Sequence, residues 1–113
     1  DAIPLVGTGT PMKEAVEEMS RKGAGCVGII DAQGRLAGII TDGDLRRHIG
    51  SNLLALTVEA VMTPSPKTVR PDQLASEALE IINASKITVL MAIEDGRPVG
   101  IVHFHDLLRA GVA

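Results

Sequence analysis

Gly38-Ile39-Ile40-Thr41-Asp42-Gly43-Asp44-Leu45-Arg46-Arg47 reads as a short apolar strand running without a break into a helix. Sixty-two positions later, Gly100-Ile101-Val102-His103-Phe104-His105-Asp106-Leu107-Leu108-Arg109 reads the same way. At that spacing Val27/Val89, Gly34/Gly96, Arg35/Arg97, Gly38/Gly100, Ile39/Ile101, Asp44/Asp106, Leu45/Leu107 and Arg47/Arg109 are identical, the mark of a tandem duplication. The copies differ at the junction itself, where Thr41-Asp42 becomes His103-Phe104. A site built there is therefore not the same twice.

A chain of 113 residues has the length of one domain, and each half alone is too small to bury an adequate core, so the two copies are expected to pack on each other. With 45% hydrophobic and 22% charged residues the composition is globular rather than disordered. Phe104 is the lone aromatic, which makes the core aliphatic and removes any platform for stacking bases. A net charge of −3 offers no broad basic field to a polyanion, so no nucleic-acid partner is expected. The single Cys26 rules out an internal disulfide and suits a reducing, cytoplasmic setting. No apolar run is long enough to span a bilayer, and no membrane partner is expected. The chain opens at Asp1 almost in mid-pattern, and is expected to be a piece of something longer.

Each copy reads as helix, hairpin, helix. Met12, Ala15, Val16 and Met19 form one apolar stripe of a helix, with Glu14, Glu17 and Glu18 early and Arg21 and Lys22 late on the other face. Thr10 is expected as the N-cap with Pro11 at the first helical position, and Gly23 and Gly25 as the stop. Ala75, Ala78, Leu79 and Ile82 repeat the stripe 63 positions on, after the start signal Pro71-Asp72. The change of spacing from 63 to 62 places a one-residue deletion near Ser85-Lys86. Cys26 to Ile30 and Arg35 to Ile40, joined by Asp31-Ala32-Gln33-Gly34, predict a β-hairpin, as do Thr88 to Ile93 and Arg97 to Val102 around Glu94-Asp95-Gly96. Short helices follow, from Asp42 to about Ile49 and from His103 to about Ala110. The proline-rich stretch Val61 to Pro71 is an extended connector in which Lys67 to Val69 pairs as an edge strand, and Leu5-Val6 is expected to do the same in the first copy.

The repeated helix, hairpin and helix, the Val61-Met62-Thr63-Pro64-Ser65-Pro66 connector and the Thr41-Asp42-Gly43-Asp44-Leu45 junction resemble a tandem pair of CBS domains across nearly the whole chain. The resemblance implies an α/β (α+β) fold of two CBS repeats packed as a pseudo-two-fold pair, residues 1–56 forming the first and 57–113 the connector and the second. It also implies a nucleotide ligand in the cleft between the repeats. Gly25-Cys26-Val27-Gly28, Thr41 to Arg47 and His103 to Gly111 further resemble the C-terminal CBS pair of arabinose-5-phosphate isomerases. That likeness implies a parent enzyme with an N-terminal sugar-isomerase domain on the route to the lipopolysaccharide sugar Kdo, and a regulatory, non-catalytic role for this chain.

Thr41-Asp42-Gly43-Asp44 has two compatible readings. One is a capping box, in which the Thr41 hydroxyl accepts from the Asp44 amide and the Asp44 carboxylate from the Thr41 amide. In the other, the same carboxylate takes two vicinal sugar hydroxyls while the threonine orients the sugar or a phosphate, as in similar CBS modules. His103 takes the place of Thr41 and can donate to a phosphate or carboxylate. His103 and His105 alternate, but two ligands do not complete a metal site, and neither a metal nor a cofactor is expected. Lys22 and Lys86 stand where helix gives way to hairpin, beside the edge at which similar modules contact phosphate. Asp106 repeats Asp44, and Cys26, Val27 and Thr88 at the strand entries complete the ligand-binding set implied by the resemblance.

The ligand implied by the resemblance is a nucleotide or nucleotide sugar: an adenine nucleotide, CMP, or CMP-Kdo as a feedback signal. The alternative is a ligand-free dimerisation scaffold holding catalytic domains together, favoured by the altered second junction. Leu45, Ile49, Leu107 and Leu108 on the short helices, with Leu53, Leu54 and Leu56 beyond, predict a two-fold homodimer.

Overall fold

The computed structural model describes residues 3–50, 52–73, 75–85, 87, 89–104 and 107. The chain divides into two compact units, Asp1–Pro66 and Lys67–Ala113. Both are built of α-helix and β-sheet, as expected.

In the first unit, β1 (Leu5–Gly7), β2 (Cys26–Ile30), β3 (Leu36–Thr41) and β4 (Thr63–Pro64) form one sheet in that order. β1 runs parallel to β2, and the β2–β3 hairpin and the β3–β4 pair are antiparallel. The helix α1 (Met12–Lys22) lays Met12, Ala15 and Met19 on Val27, Ile29 and Ile40 of the sheet, with Val58 and Val61 closing the aliphatic core. Those two valines come from α3 (Val58–Val61), a short helix beyond α2 (Asp42–Arg47) that the sequence did not announce. A 3-10 turn at Leu53–Ala55 leads into it. Gly23 ends α1 as predicted, at φ 65°, its N–H donating to the Met19 carbonyl at 2.8 Å.

The start of α1 corrects an expectation. Pro11, at ψ 145°, is itself the cap residue, and no side chain caps this helix. Thr10 is held elsewhere: its carbonyl accepts from the Val58 N–H at 2.9 Å, while Met12 N–H donates to the Leu56 carbonyl at 2.8 Å. Pro11 and Thr57 form an isolated bridge between these two bonds. Pairing with a distant segment has taken the backbone that a local cap would need.

The second unit repeats the plan with β5 (Thr68–Val69), α4 (Ala75–Ser85), β6 (Val89–Glu94) and β7 (Arg97–His103), in the sheet order β5-β6-β7. Both predicted edge strands exist: Leu5 and Val6 pair parallel to β2, Thr68 and Val69 parallel to β6. Phe104 and Leu107 are helical and pack on Ala78, Ile82, Leu90 and Ala92, while most of the helix expected from His103 to Ala110 lies outside the described residues.

Strand register relocates the deletion between the repeats. Cys26 pairs with Thr41 and Val89 with His103; Gly28 pairs with Leu5 and Met91 with Thr68. Everything through β2 thus maps onto the second unit at 63 positions, and the shift to 62 falls in the hairpin turn, not near Ser85-Lys86. The first hairpin turns through Asp31 to Arg35, whose Asp31 carboxylate accepts from the Gln33 and Arg35 amides at 2.9 and 3.0 Å. The second turns through Asp95 and Gly96 alone, at φ 55° and 80°, the tight turn that favours Asp-Gly. Structurally Val27 matches Leu90, and the Val27/Val89 identity is fortuitous. Met12 matches Ala75 and Ile29 matches Ala92, so the second core is thinner. It is marked by a depression of about 190 Å³ lined by Val69, Ala75, Ala78, Ala92, Val102 and Leu107 among others.

Candidate functional site

The junction of β3 and α2 carries the capping box anticipated for it. Thr41, extended at φ −118° and ψ 172°, leaves the strand, and its hydroxyl accepts from the Asp44 N–H at 3.4 Å. Asp44 Oδ2 accepts from the Thr41 N–H at 2.9 Å and from its hydroxyl at 3.2 Å. Asp44 Oδ1 accepts from the Thr63 hydroxyl at 3.0 Å and from the Arg47 guanidinium. The residue is only 3% exposed, the one charged group in the described core. A carboxylate has about four acceptor positions, and all four are taken. His48 Nδ1 lies 3.0 Å from the Asp44 carbonyl.

Around this acid the strand ends are brought together. Cys26 faces Thr41 across the hairpin and is fully buried. Burial pushes its thiol up to about 12, and the Asp42 carboxylate adds to the rise. Gly25, at φ 75°, passes close to Asp42, where an added Cβ would lie 3.7 Å from Oδ2. Val27, the next residue of the strand, points the other way and belongs to the aliphatic core under α1. Lys22 is drawn to its own helix, its Nζ donating to Glu18 Oε2 at 3.1 Å, and this bond holds the Glu18 carboxyl below the ordinary range. Arg21 also pairs with Glu18.

In the second unit His103 ends β7 opposite Val89, in the position of Thr41, and is half-buried. Lys86, Thr88, His105 and Asp106 lie outside the described residues. Among the described residues no group of three or more His, Cys, Asp and Glu could hold a metal ion, and no helix is long and apolar enough to cross a membrane.

Two contributors to the Asp44 cluster were not singled out in the sequence. Arg47 figured there only in its identity with Arg109 and in the Thr41 to Arg47 stretch, and Thr63 only as part of the connector. Only the i, i+3 spacing of Asp44 and Arg47 hinted at a pair, and nothing local signalled Thr63, which arrives from 19 residues away.

A helix packed on a parallel-plus-antiparallel sheet, twice over, with a Thr-x-x-Asp helix start in the first copy, defines a tandem α/β repeat architecture. The CBS domain family profile matches residues 1–51 and 58–113, and the chain belongs to that family. It is 48% identical over 115 residues to an arabinose 5-phosphate isomerase, KdsD, of Pseudomonas aeruginosa, covering 99% of this chain and 35% of that protein. The chain thus spans about a third of the length of the curated relatives it matches. Among solved structures, the CBS domain pair of protein MJ0100 in complex with 5′-methylthioadenosine and S-adenosyl-L-methionine superposes with a TM-score of 0.86 at 25% identity, covering 98% of this chain and 93% of that one. CBSX2 in complex with AMP gives 0.82 at 25% identity, covering 98% and 88%.

Proposed function

We propose that this CBS pair is the ligand-sensing regulatory region of an arabinose-5-phosphate isomerase-like enzyme, without catalytic activity of its own. Its ligand is a nucleotide or nucleotide sugar, with CMP-Kdo, CMP and adenine nucleotides as the candidates. The observation that carries this reading is the buried Asp44 carboxylate, held beside the Thr41 hydroxyl at a helix start, a group of the kind that accepts from two vicinal sugar hydroxyls once donors it now holds give way. The kinship with KdsD supports a parent enzyme of that kind, and the complexes of MJ0100 with 5′-methylthioadenosine and S-adenosyl-L-methionine and of CBSX2 with AMP support the ligand class. His103, with His105, Lys86, Asp106 and Thr88, is proposed to complete a second, unequal site. Lys22 would leave Glu18 to meet a phosphate. The parent enzyme is proposed to be cytoplasmic, joining this region to an N-terminal sugar-isomerase domain and assembling as a homodimer.

Calorimetry with CMP-Kdo, CMP, AMP and ATP tests the reading. At least one is expected to bind, and Asp44→Asn, which keeps an acceptor for the Thr41 N–H, should lose about 1.5–3 kcal/mol of that binding. The second reading, a ligand-free dimerisation scaffold, is favoured by the replacement of Thr41 by His103 in the repeat. It gains if Asp44→Asn weakens the fold and no nucleotide binds to either protein.

A further inference from the structure

We propose that Thr63 belongs to the ligand site as an internal stand-in: its hydroxyl occupies the Asp44 acceptor, and a sugar diol must displace it to bind. The inference rests on the reading of Asp44 as the ligand's acceptor. With four donors on four acceptor positions, and no buried side-chain polar atom unpartnered among the described residues, the acid has no vacancy for a diol.

The two oxygens are not equivalent. The bonds to Oδ2 come from Thr41 itself, and they start the helix. Those to Oδ1 come from side chains that can leave. Arg47 is 65% exposed along its side chain and has solvent to swing into. Thr63 sits on β4, a two-residue edge strand tied to β3 through the Gly38–Pro64 and Ile39–Thr63 pairs and a longer bond from the Ser65 N–H to the Ala37 carbonyl at 3.3 Å. Its neighbour Pro64 has no N–H and donates no bond of its own to β3. Gly38 is what admits β4, since a Cβ there would stand 2.5 Å from Met62 Sδ and 3.0 Å from the Thr63 carbonyl oxygen.

Two vicinal hydroxyls need two acceptor positions, and Oδ1 supplies both once Thr63 and Arg47 have gone. Ligand entry is therefore paid partly in the contact that holds β4, and β4 leads within three residues to Lys67, the first residue of the second unit. Occupancy of the site and the hold on the connecting chain are opposed, which gives the ligand a mechanical readout.

The test titrates CMP-Kdo, CMP, AMP and ATP into wild type, Thr63→Val, Thr63→Ser and Asp44→Asn by calorimetry, with thermal melts to check the fold of each. Thr63→Val keeps the shape and removes the donor, so it should bind the nucleotide about three- to tenfold more tightly than wild type. Thr63→Ser should return the affinity to the wild-type value. Loss of binding in Asp44→Asn alongside equal or weaker binding in folded Thr63→Val would overturn this inference and leave the ligand reading standing. Wild-type binding that Asp44→Asn leaves unchanged, or no binding of any of the four ligands to any of the four proteins, would overturn both.

Discussion

Cys26 and Thr41 face each other across the first hairpin, yet their chemistry is opposite. The hydroxyl is engaged in a polar cluster, and the thiol is sealed away beside it. Because burial raises the folded thiol to about 12 from an ordinary 9.0, the unfolded chain loses this proton first as the pH rises. The associated stability is therefore complete below about pH 9 and is lost between pH 9 and 12. Urea melts of wild type and Cys26→Ala across that range are expected to differ in slope, the wild type falling more steeply. Parallel slopes would show a thiol that ionises freely. The same burial predicts slow modification by thiol reagents at neutral pH. At Asp44 the capping box was legible, because Thr-x-x-Asp is a local pattern with a local hydrogen-bond solution. Its tenancy by Thr63 was not, because that donor is close only after the connector has folded back on β3.

Among the elements, the edge strands, hairpins and both long helices follow from apolar period and turn residues. Three features do not. The start of α1 at Met12 is decided by pairing between Pro11 and Thr57. The helix α3 is only four residues long and is held by burying Val58 and Val61 in the first core, not by propensity. The strand β4 exists because Gly38 offers its neighbour bare backbone. Gly38→Ala should force Met62 and the Thr63 carbonyl outward and cost about 1–3 kcal/mol, read as a lower denaturation midpoint with an unchanged slope. An unaltered midpoint would mean that β4 yields at no cost. Gly100, its counterpart in β7, would place a Cβ an ordinary 3.6 Å from Ala92, so Gly100→Ala should be much milder.

For the whole molecule, the expectation of a homodimer needs a narrower basis than the full set of leucines. Leu45, Leu53 and Leu56 pack against the first core, and Leu107 is buried in the second. Leu108 lies outside the described residues, and of the described ones in the set Ile49, 72% exposed, and Leu54, 54% exposed, remain at the surface, both after α2. If these seat a second copy, light scattering should report a dimer that Ile49→Lys with Leu54→Lys converts to monomer. A wild-type monomer at high micromolar concentration would exclude the assembly. The sequence by itself determined that this is a duplicated helix-hairpin-helix chain with an aliphatic core and a capped acid at one junction, since repeat identity, apolar period and capping are properties of neighbouring residues. Only the tertiary structure decided where the repeats lose register, which residue starts α1 and who holds Asp44. Each of these depends on backbone or side chains that are distant along the chain, and such contacts leave no periodic trace in it.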